Sequence, residues 1–321
     1  MRAVEIQEHG GPEKLRVVDV PVPEPGPGDV LVCVTAAGIN FTDIGFREGT
    51  FARPLPLRLG KEAAGAVAAC GAGVTDFAVG QRVVATAIDG AYAEYVVAPA
   101  DRWVPIPDGL DDARACAAMM QGMTGHYLTH DVYPIQTGDV VLFQAAASGV
   151  AAFALRMAKE RGASIIGVVS HPTKVAVARA AGADHVIIAG EEDFVAAARR
   201  LTDGAGVHAV YDSVGRDTFA RGIDCLRPRG TLILFGAASG PVTTFDTTQW
   251  LFYSKYVIAP SIEEYIATRD ELLHRAGATF AGIIEGRYPT EIGGTFPLAA
   301  VADAHRALAD RGRTGKLILA P

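Results

Sequence analysis

The sequence predicts an α/β protein of two domains, one a doubly wound parallel sheet of six strands and the other rich in short β-strands. Three observations predict it. With 321 residues, the chain is too long for one ordinary hydrophobic core. From about residue 123 to 260, short apolar runs alternate with segments of helical spacing, the rhythm of a parallel sheet covered on both faces. Before about residue 120, runs rich in valine and alanine are broken repeatedly by glycine and proline, the rhythm of a β-domain.

The elements follow in order. Residues 1–4 run straight into strand-like sequence, and strands are predicted at 15–20, 29–36, 65–69, 81–87 and 92–98. Between the first two, Pro21-Val-Pro-Glu-Pro-Gly-Pro-Gly28 is a stiff extended turn, because proline cannot donate to a ladder. It reads as a surface crossover inside the domain, since strands continue on both sides. Residues 139–143 form the first wholly apolar run, and a helix at 150–161 follows. Strands at 164–170, 184–188, 207–213, 230–235 and 256–258 alternate with helices at 173–181, 191–202 and 217–226. After 261 come a helix at 262–276, a mixed stretch, a helix at 298–310 and a strand at 316–319. This tail lacks the strand–helix–strand rhythm and is expected to rejoin the first domain. The expected division is therefore 1–122 with 261–321, and 123–260 between them.

Composition narrows the function. Half of the residues are hydrophobic, which excludes disorder, and the formal net charge of −7 makes a nucleic-acid partner a poor expectation. The longest apolar stretch, 140–155, is interrupted by Gln144, Ser148 and Gly149 and does not read as a membrane span. No export signal is read at the start of the chain. The four cysteines lie far apart with no C-x-x-C pair, so a disulfide framework or structural zinc is not expected, and a reducing cytoplasm is.

The turn after the first apolar strand reads Gln144-Ala145-Ala146-Ala147-Ser148-Gly149-Val150-Ala151. In a dinucleotide-binding fold this turn must be small, because the backbone touches a pyrophosphate and the helix N-terminus offers free N–H groups. Small residues at such a turn also serve plain packing; the position at the head of six strands favours the binding reading. The second strand ends Val168-Val169-Ser170-His171-Pro172-Thr173-Lys174, with no acid where NAD-binding folds hold a ribose hydroxyl. A hydroxyl and an ammonium there favour a 2′-phosphate, hence NADPH.

With these segments in view, the chain resembles the zinc-free quinone oxidoreductases of the medium-chain dehydrogenase/reductase superfamily, the zeta-crystallin-like reductases. The likeness runs nearly end to end. It is carried by Ala37-Gly-Ile-Asn40-Phe-Thr-Asp43, Gly60-Lys-Glu-Ala-Ala-Gly65, Gly90-Ala-Tyr-Ala-Glu-Tyr95, Gln121-Gly-Met-Thr124, Ala145-Ala-Ala-Ser-Gly149, Val210-Tyr-Asp-Ser-Val-Gly215-Arg-Asp-Thr and Phe235-Gly236 with Ser239-Gly240. Residues 210–240 are similar to bacterial quinone oxidoreductases in particular. The resemblance implies a GroES-like β-domain built from both chain ends, a six-stranded Rossmann domain between, NADPH as cofactor and a homodimer formed through Rossmann edges.

It also implies roles. Asn40, Asp43 and Thr124 would orient the nicotinamide; Ala147, Ser148, Gly149 and Val150 would meet the pyrophosphate, and Ser170 and Lys174 the 2′-phosphate. Ser213, Phe235, Gly236 and Ser239 stand at strand ends that the dinucleotide crosses. Arg311 matches a family arginine thought to approach the phosphate, and Arg313 is an equal candidate on charge. Asn40 and Asp43 also suit an ordinary turn, and Thr124 a helix cap. In the superfamily's alcohol dehydrogenases, zinc ligands stand where this chain has Asn40 and Lys61, and the four-cysteine lobe is absent here. Asparagine is a poor zinc ligand and an ammonium is none. An acceptor that stabilises its own negative charge, a quinone or activated alkene, needs no such Lewis acid. Three departures from the family pattern, Gly45, Ala189 and Ala259 in place of two tyrosines and an arginine, bear on the substrate more than on the cofactor. No catalytic triad and no general acid are readable. The expected activity is metal-free NADPH-dependent quinone reduction, with enoyl or 2-haloacrylate reduction, or cofactor binding without turnover as in crystallin or RNA-binding relatives, as alternatives.

Overall fold

A computed structural model describes residues 1–248, 252–310 and 314–321. The chain divides into two compact units, Met1–Met123 with Ile266–Pro321, and Thr124–Tyr265.

The first unit opens with β1 (Arg2–Ile6), β2 (Arg16–Asp19) and β3 (Asp29–Gly38). Helix α1 (Phe41–Glu48) follows β3 directly, and then come β4 (Leu57–Arg58), β5 (Glu62–Cys70), β6 (Arg82–Thr86), β7 (Tyr95–Pro99), β8 (Val104–Pro105) and α2 (Asp112–Tyr127), whose last residues from Thr124 on belong to the second unit. Neither helix is predicted from the sequence: α1 lies between the strands expected at 29–36 and 65–69, and α2 lies beyond the one expected at 92–98. Helix α1 has eight residues and a glycine within it, too short for a clear stripe. In α2, Ala115, Cys116, Ala117, Ala118, Met119 and Met123 are all buried, as are the polar Thr124 and His126, so burial reaches most of the circumference and the helix lacks an amphipathic pattern.

In the second unit, β9 (Val140–Phe143), α3 (Gly149–Glu160), β10 (Ser164–Val169), α4 (Val175–Ala180), β11 (His185–Ile188), α5 (Phe194–Arg200), β12 (Val207–Asp212), α6 (Phe219–Asp224), β13 (Leu226–Leu234), β14 (Tyr256–Ile258) and α7 (Ile262–Tyr265) follow in sequence. The six strands pair in parallel in the order β11-β10-β9-β12-β13-β14. Alternation explains their apolar runs. Val141, Phe143, Ile165, Ala209, Tyr211 and Ile233 pack with α3 in one core, while Leu142, Ile166, Val210 and Leu232 pack with α5 and α6 in another. The strand order reverses at β9, so the carboxyl ends of β9, β10, β12 and β13 form the edge at which open sheets of this kind bind ligands.

The chain then returns to the first unit through α8 (Arg269–Ile284), β15 (Ile292–Pro297), α9 (Val301–Ala309) and β16 (Lys316–Ala320). Strand β16 pairs antiparallel with β3, completing a seven-stranded sheet in the order β15-β16-β3-β5-β6-β8, with β7 also on β3; β2-β1-β4 form a second sheet. Leu317, Leu319, Val301 and Leu298 join Tyr92, Trp103 and Ile39 in the core. The expected helix at 262–276 is two helices. Thr268 caps α8 by accepting from Glu271 N–H, while the Glu271 carboxylate accepts from Thr268 N–H. The units divide at Tyr265/Ile266 and not at 260/261, because Ile262 and Tyr265 pack into the second unit's core, Tyr265 stacking on Tyr127 with ring centroids 4.5 Å apart. Among the described residues, no helix is long and apolar enough to cross a membrane.

Candidate active site

In the second unit, Ala145 takes a left-handed φ of 51° immediately after β9, and Ser148 caps α3, its Oγ accepting from Ala151 N–H at 3.3 Å. The amides of Gly149 and Val150 belong to the first turn, which has no acceptor within the helix, and the helix dipole adds positive potential there. Small side chains are a packing requirement too: a β-carbon on Gly167 of β10 would lie 2.8 Å from that of Ala146. Ser170 and Lys174 fall in one turn beyond β10, where His171 Nδ1 accepts from Thr173 N–H at 3.3 Å. No carboxylate occurs between Ser170 and Lys174. An anchored helix N-terminus beside a turn with a hydroxyl, an ammonium and no acid fits a phosphorylated dinucleotide.

The next strand end is organised by Asp212, which the sequence reading did not single out. Its buried carboxylate accepts from Val214 N–H at 2.7 Å, Gly215 N–H at 3.0 Å and the Thr218 hydroxyl at 2.8 Å, and burial raises its pKa. Ser239 Oγ donates to the Val214 carbonyl at 2.8 Å and accepts from Asp217 N–H at 3.1 Å, so it ties the loops after β12 and β13 to one another. A β-carbon on Gly236 would lie 2.7 Å from the Ser213 carbonyl oxygen. Ala147–Val150, Ser170, Lys174, Ser213, Phe235 and Gly236 thus all stand at carboxyl ends of parallel neighbours. Thr124, the first residue of this unit, is buried inside α2 and is not a cap. Arg311 and Arg313 lie outside the described residues.

In the first unit, Asn40 and Asp43 begin α1. Asp43 Oδ2 accepts from Asn40 N–H at 2.8 Å and from the Tyr92 hydroxyl at 2.8 Å. Full burial pushes the Asp43 pKa up to about 6 against the opposing effect of these hydrogen bonds and of the Lys316 charge. Burial and the adjacent carboxylate raise Tyr92 well above the usual phenol range. Gly60 fixes the approach of Tyr92: with φ of 99°, a β-carbon there would sit 2.5 Å from Tyr92 N.

Beside them lies a buried polar cluster that the sequence reading missed. Lys316 Nζ donates to Glu62 Oε2 at 2.7 Å and to Asn40 Oδ1 at 2.6 Å. Gln121 Nε2 donates to Asn40 Oδ1 at 3.0 Å, Asn40 Nδ2 donates to Glu62 Oε2 at 3.2 Å, and Met120 N–H donates to Glu62 Oε1 at 2.6 Å. The only trace in the sequence is one lysine opening an otherwise apolar final strand. Lys61 turns elsewhere, donating to Asp89 Oδ1 at 2.6 Å with its ammonium 5.2 Å from the Phe46 ring centroid.

These side chains do not fit a zinc ion. The two positions that matter are an ammonium and an amide whose oxygen already accepts from Lys316 and Gln121, and ammonium groups repel a metal. Among the described residues, no group of three or more His, Cys, Asp or Glu is placed to hold one.

Residues 26–108 match the alcohol dehydrogenase GroES-like domain and residues 149–275 the zinc-binding dehydrogenase family. The chain is 41% identical to a quinone oxidoreductase of Pseudomonas aeruginosa, covering 100% of this chain and 99% of that protein. It is 36% identical to a 2-haloacrylate reductase of a Burkholderia species, over 99% of this chain and 98% of the relative. The crystal structure of Escherichia coli quinone oxidoreductase complexed with NADPH superposes with a TM-score of 0.97 at 37% identity, covering 100% of both chains. The fold, a parallel Rossmann-like sheet with a GroES-like domain, and the full-length identities together make this chain a member of the quinone oxidoreductases of the medium-chain dehydrogenase/reductase superfamily.

Proposed function

We propose that this protein is an NADPH-dependent quinone reductase that works without a metal. The observation that carries the reading is that Asn40 spends its carboxamide oxygen on Lys316 and Gln121 while the Lys61 ammonium pairs with Asp89, so neither side chain offers a ligand to a metal. Such a site suits an acceptor that delocalises its own negative charge. NADPH supplies the hydride when bound. Ala147, Ser148, Gly149 and Val150 hold the pyrophosphate at the α3 N-terminus, and Ser170 and Lys174 hold the 2′-phosphate. Ser213, Phe235 and Gly236 line the dinucleotide's path, and Ser239 braces them. Arg311 adds positive charge toward the phosphates. Asn40, Asp43 and Thr124 orient the nicotinamide; orientation is much of what such an enzyme contributes. No side chain is assigned as general acid; the proton comes from solvent or from the cofactor ribose.

Steady-state NADPH oxidation with 1,4-benzoquinone, 9,10-phenanthrenequinone and 2-haloacrylate tests the reading. Quinone turnover supports it. Rapid alkene reduction without quinone turnover favours instead the activity named for the Burkholderia relative.

Two further parts belong to this reading. A second copy pairs along β14, an edge strand of the parallel sheet, where Phe252, Tyr253 and Tyr256 are exposed, a hazard that edge-to-edge association removes. Sedimentation should give a dimer for the wild type and a monomer for Tyr256→Arg; a monomeric wild type contradicts it. The free thiols Cys33, Cys70, Cys116 and Cys225 accord with a reducing cytoplasm.

A further inference from the structure

A buried amide is ambiguous in orientation until its neighbours decide it, and two neighbours of Asn40 decide it completely. An ammonium has no acceptor, so the atom facing Lys316 must be the carboxamide oxygen; an ionised carboxylate has no donor, so the atom facing Glu62 must be the nitrogen. Gln121 takes the oxygen's second lone pair. The nitrogen has two hydrogens. One goes to Glu62 at 3.2 Å, and the other has only the Gly38 carbonyl at 3.4 Å, the outer limit for a hydrogen bond. Space for the arrangement is built in: a β-carbon on Gly38 would collide with Glu62 Oε2 and with Lys316 Cε. Met120 N–H holds the other Glu62 oxygen, so the carboxylate itself cannot rotate freely.

We infer that Lys316, paired with Glu62, is a positioning residue that locks the Asn40 carboxamide with its oxygen inward, so that Asn40 offers a bound ligand an N–H donor for a carbonyl oxygen. The inference rests on the proposed role of Asn40 and adds the residue that sets its polarity. A carbonyl is common to the nicotinamide carboxamide and to a quinone, and the two sources separate experimentally. Lys316→Met, Lys316→Arg, Asn40→Asp and the uncharged pair Lys316→Met with Glu62→Gln are compared for melting temperature, NADPH dissociation constant by calorimetry, and kcat and KM with 1,4-benzoquinone.

Lys316→Met alone strands a buried carboxylate and is expected to melt early; the uncharged pair should regain the melting temperature. The lock predicts that this double variant nonetheless stays about tenfold or more impaired, as does Asn40→Asp, while Lys316→Arg recovers part of the loss. The impairment falls on the NADPH dissociation constant if the carbonyl is the nicotinamide's, and on kcat/KM for quinone alone if it is the acceptor's. A double variant that regains melting temperature, NADPH affinity and turnover together reduces Lys316 to a folding role and overturns the inference. A readout independent of turnover is hydrogen exchange of the Asn40 side-chain amide: slow in the wild type and fast in the double variant if the lock exists, equal in both if it does not. Absence of quinone turnover in the wild type would remove the proposed function and leave this comparison standing.

Discussion

The Tyr92 hydroxyl donates to Asp43 Oδ2 at 2.8 Å, tying the segment before β7 to the first turn of α1. Asp43 has a folded pKa of about 6, above its ordinary 3.8, because burial disfavours the charged form. The fold therefore prefers the protonated acid. That contribution is complete below about 3.8 and is lost as the pH rises through about 6, a change of order 3 kcal/mol. Asp43→Asn keeps an oxygen to accept from Tyr92 and Asn40 while carrying no charge. Its melting temperature relative to the wild type should rise between pH 4 and pH 7. A difference that is constant with pH would contradict the assignment.

Lys174→Ala should weaken NADPH binding by about tenfold and leave NADH nearly unchanged, since one charge-assisted contact to a phosphate is worth about 1.5 kcal/mol or more. Calorimetry with both coenzymes checks this. Equal losses for the two would detach Lys174 from the 2′-phosphate.

The parallel sheet was legible because its central strands are buried on two faces and their neighbours along the chain are helices, so Val141 to Phe143 and Val207 to Asp212 announce themselves locally. The small-residue turn after β9 was legible for the same reason: Ser148 and Lys174 each lie within a few residues of a strand end. Helix α2 was not, because burial around most of its circumference erases the stripe by which helices are read. The Glu62–Lys316 pair was not either. Its partners stand 254 positions apart, and only the antiparallel pairing of β16 with β3 brings Lys316 beside Asn40. Likewise, Asn40 and Asp43 were singled out individually, while Tyr92, which completes their hydrogen bonds, carries no local mark of that role.

Gly38→Ala should be costly although no special backbone angle is involved. The added methyl meets Glu62 and Lys316, and overpacking a filled, buried site costs about 1–3 kcal/mol. Chemical denaturation should show a loss of that order. A change below about 1 kcal/mol would mean that the pair moves aside without penalty.

Gly45→Ala tests the departure beside Phe46. A β-carbon there would lie 2.5 Å from the Phe51 ring, which itself packs edge-on to Phe46 with centroids 5.6 Å apart. Overpacking costs about 1–3 kcal/mol, but removing a helix glycine returns about 1 kcal/mol and Phe51 is partly exposed and able to swing away. Stability should therefore change little, while KM for bulky quinones shifts more than KM for NADPH. Unaltered KM values for every acceptor would remove this aromatic pair from the acceptor's surroundings.

Initial rates of 1,4-benzoquinone reduction, measured on chelator-treated protein with NADPH and with NADH, test the central claim most directly. Full turnover after chelation, with kcat/KM at least about tenfold higher for NADPH, is the predicted result. Activity that disappears with the chelator and returns with zinc, or a preference for NADH, would contradict it.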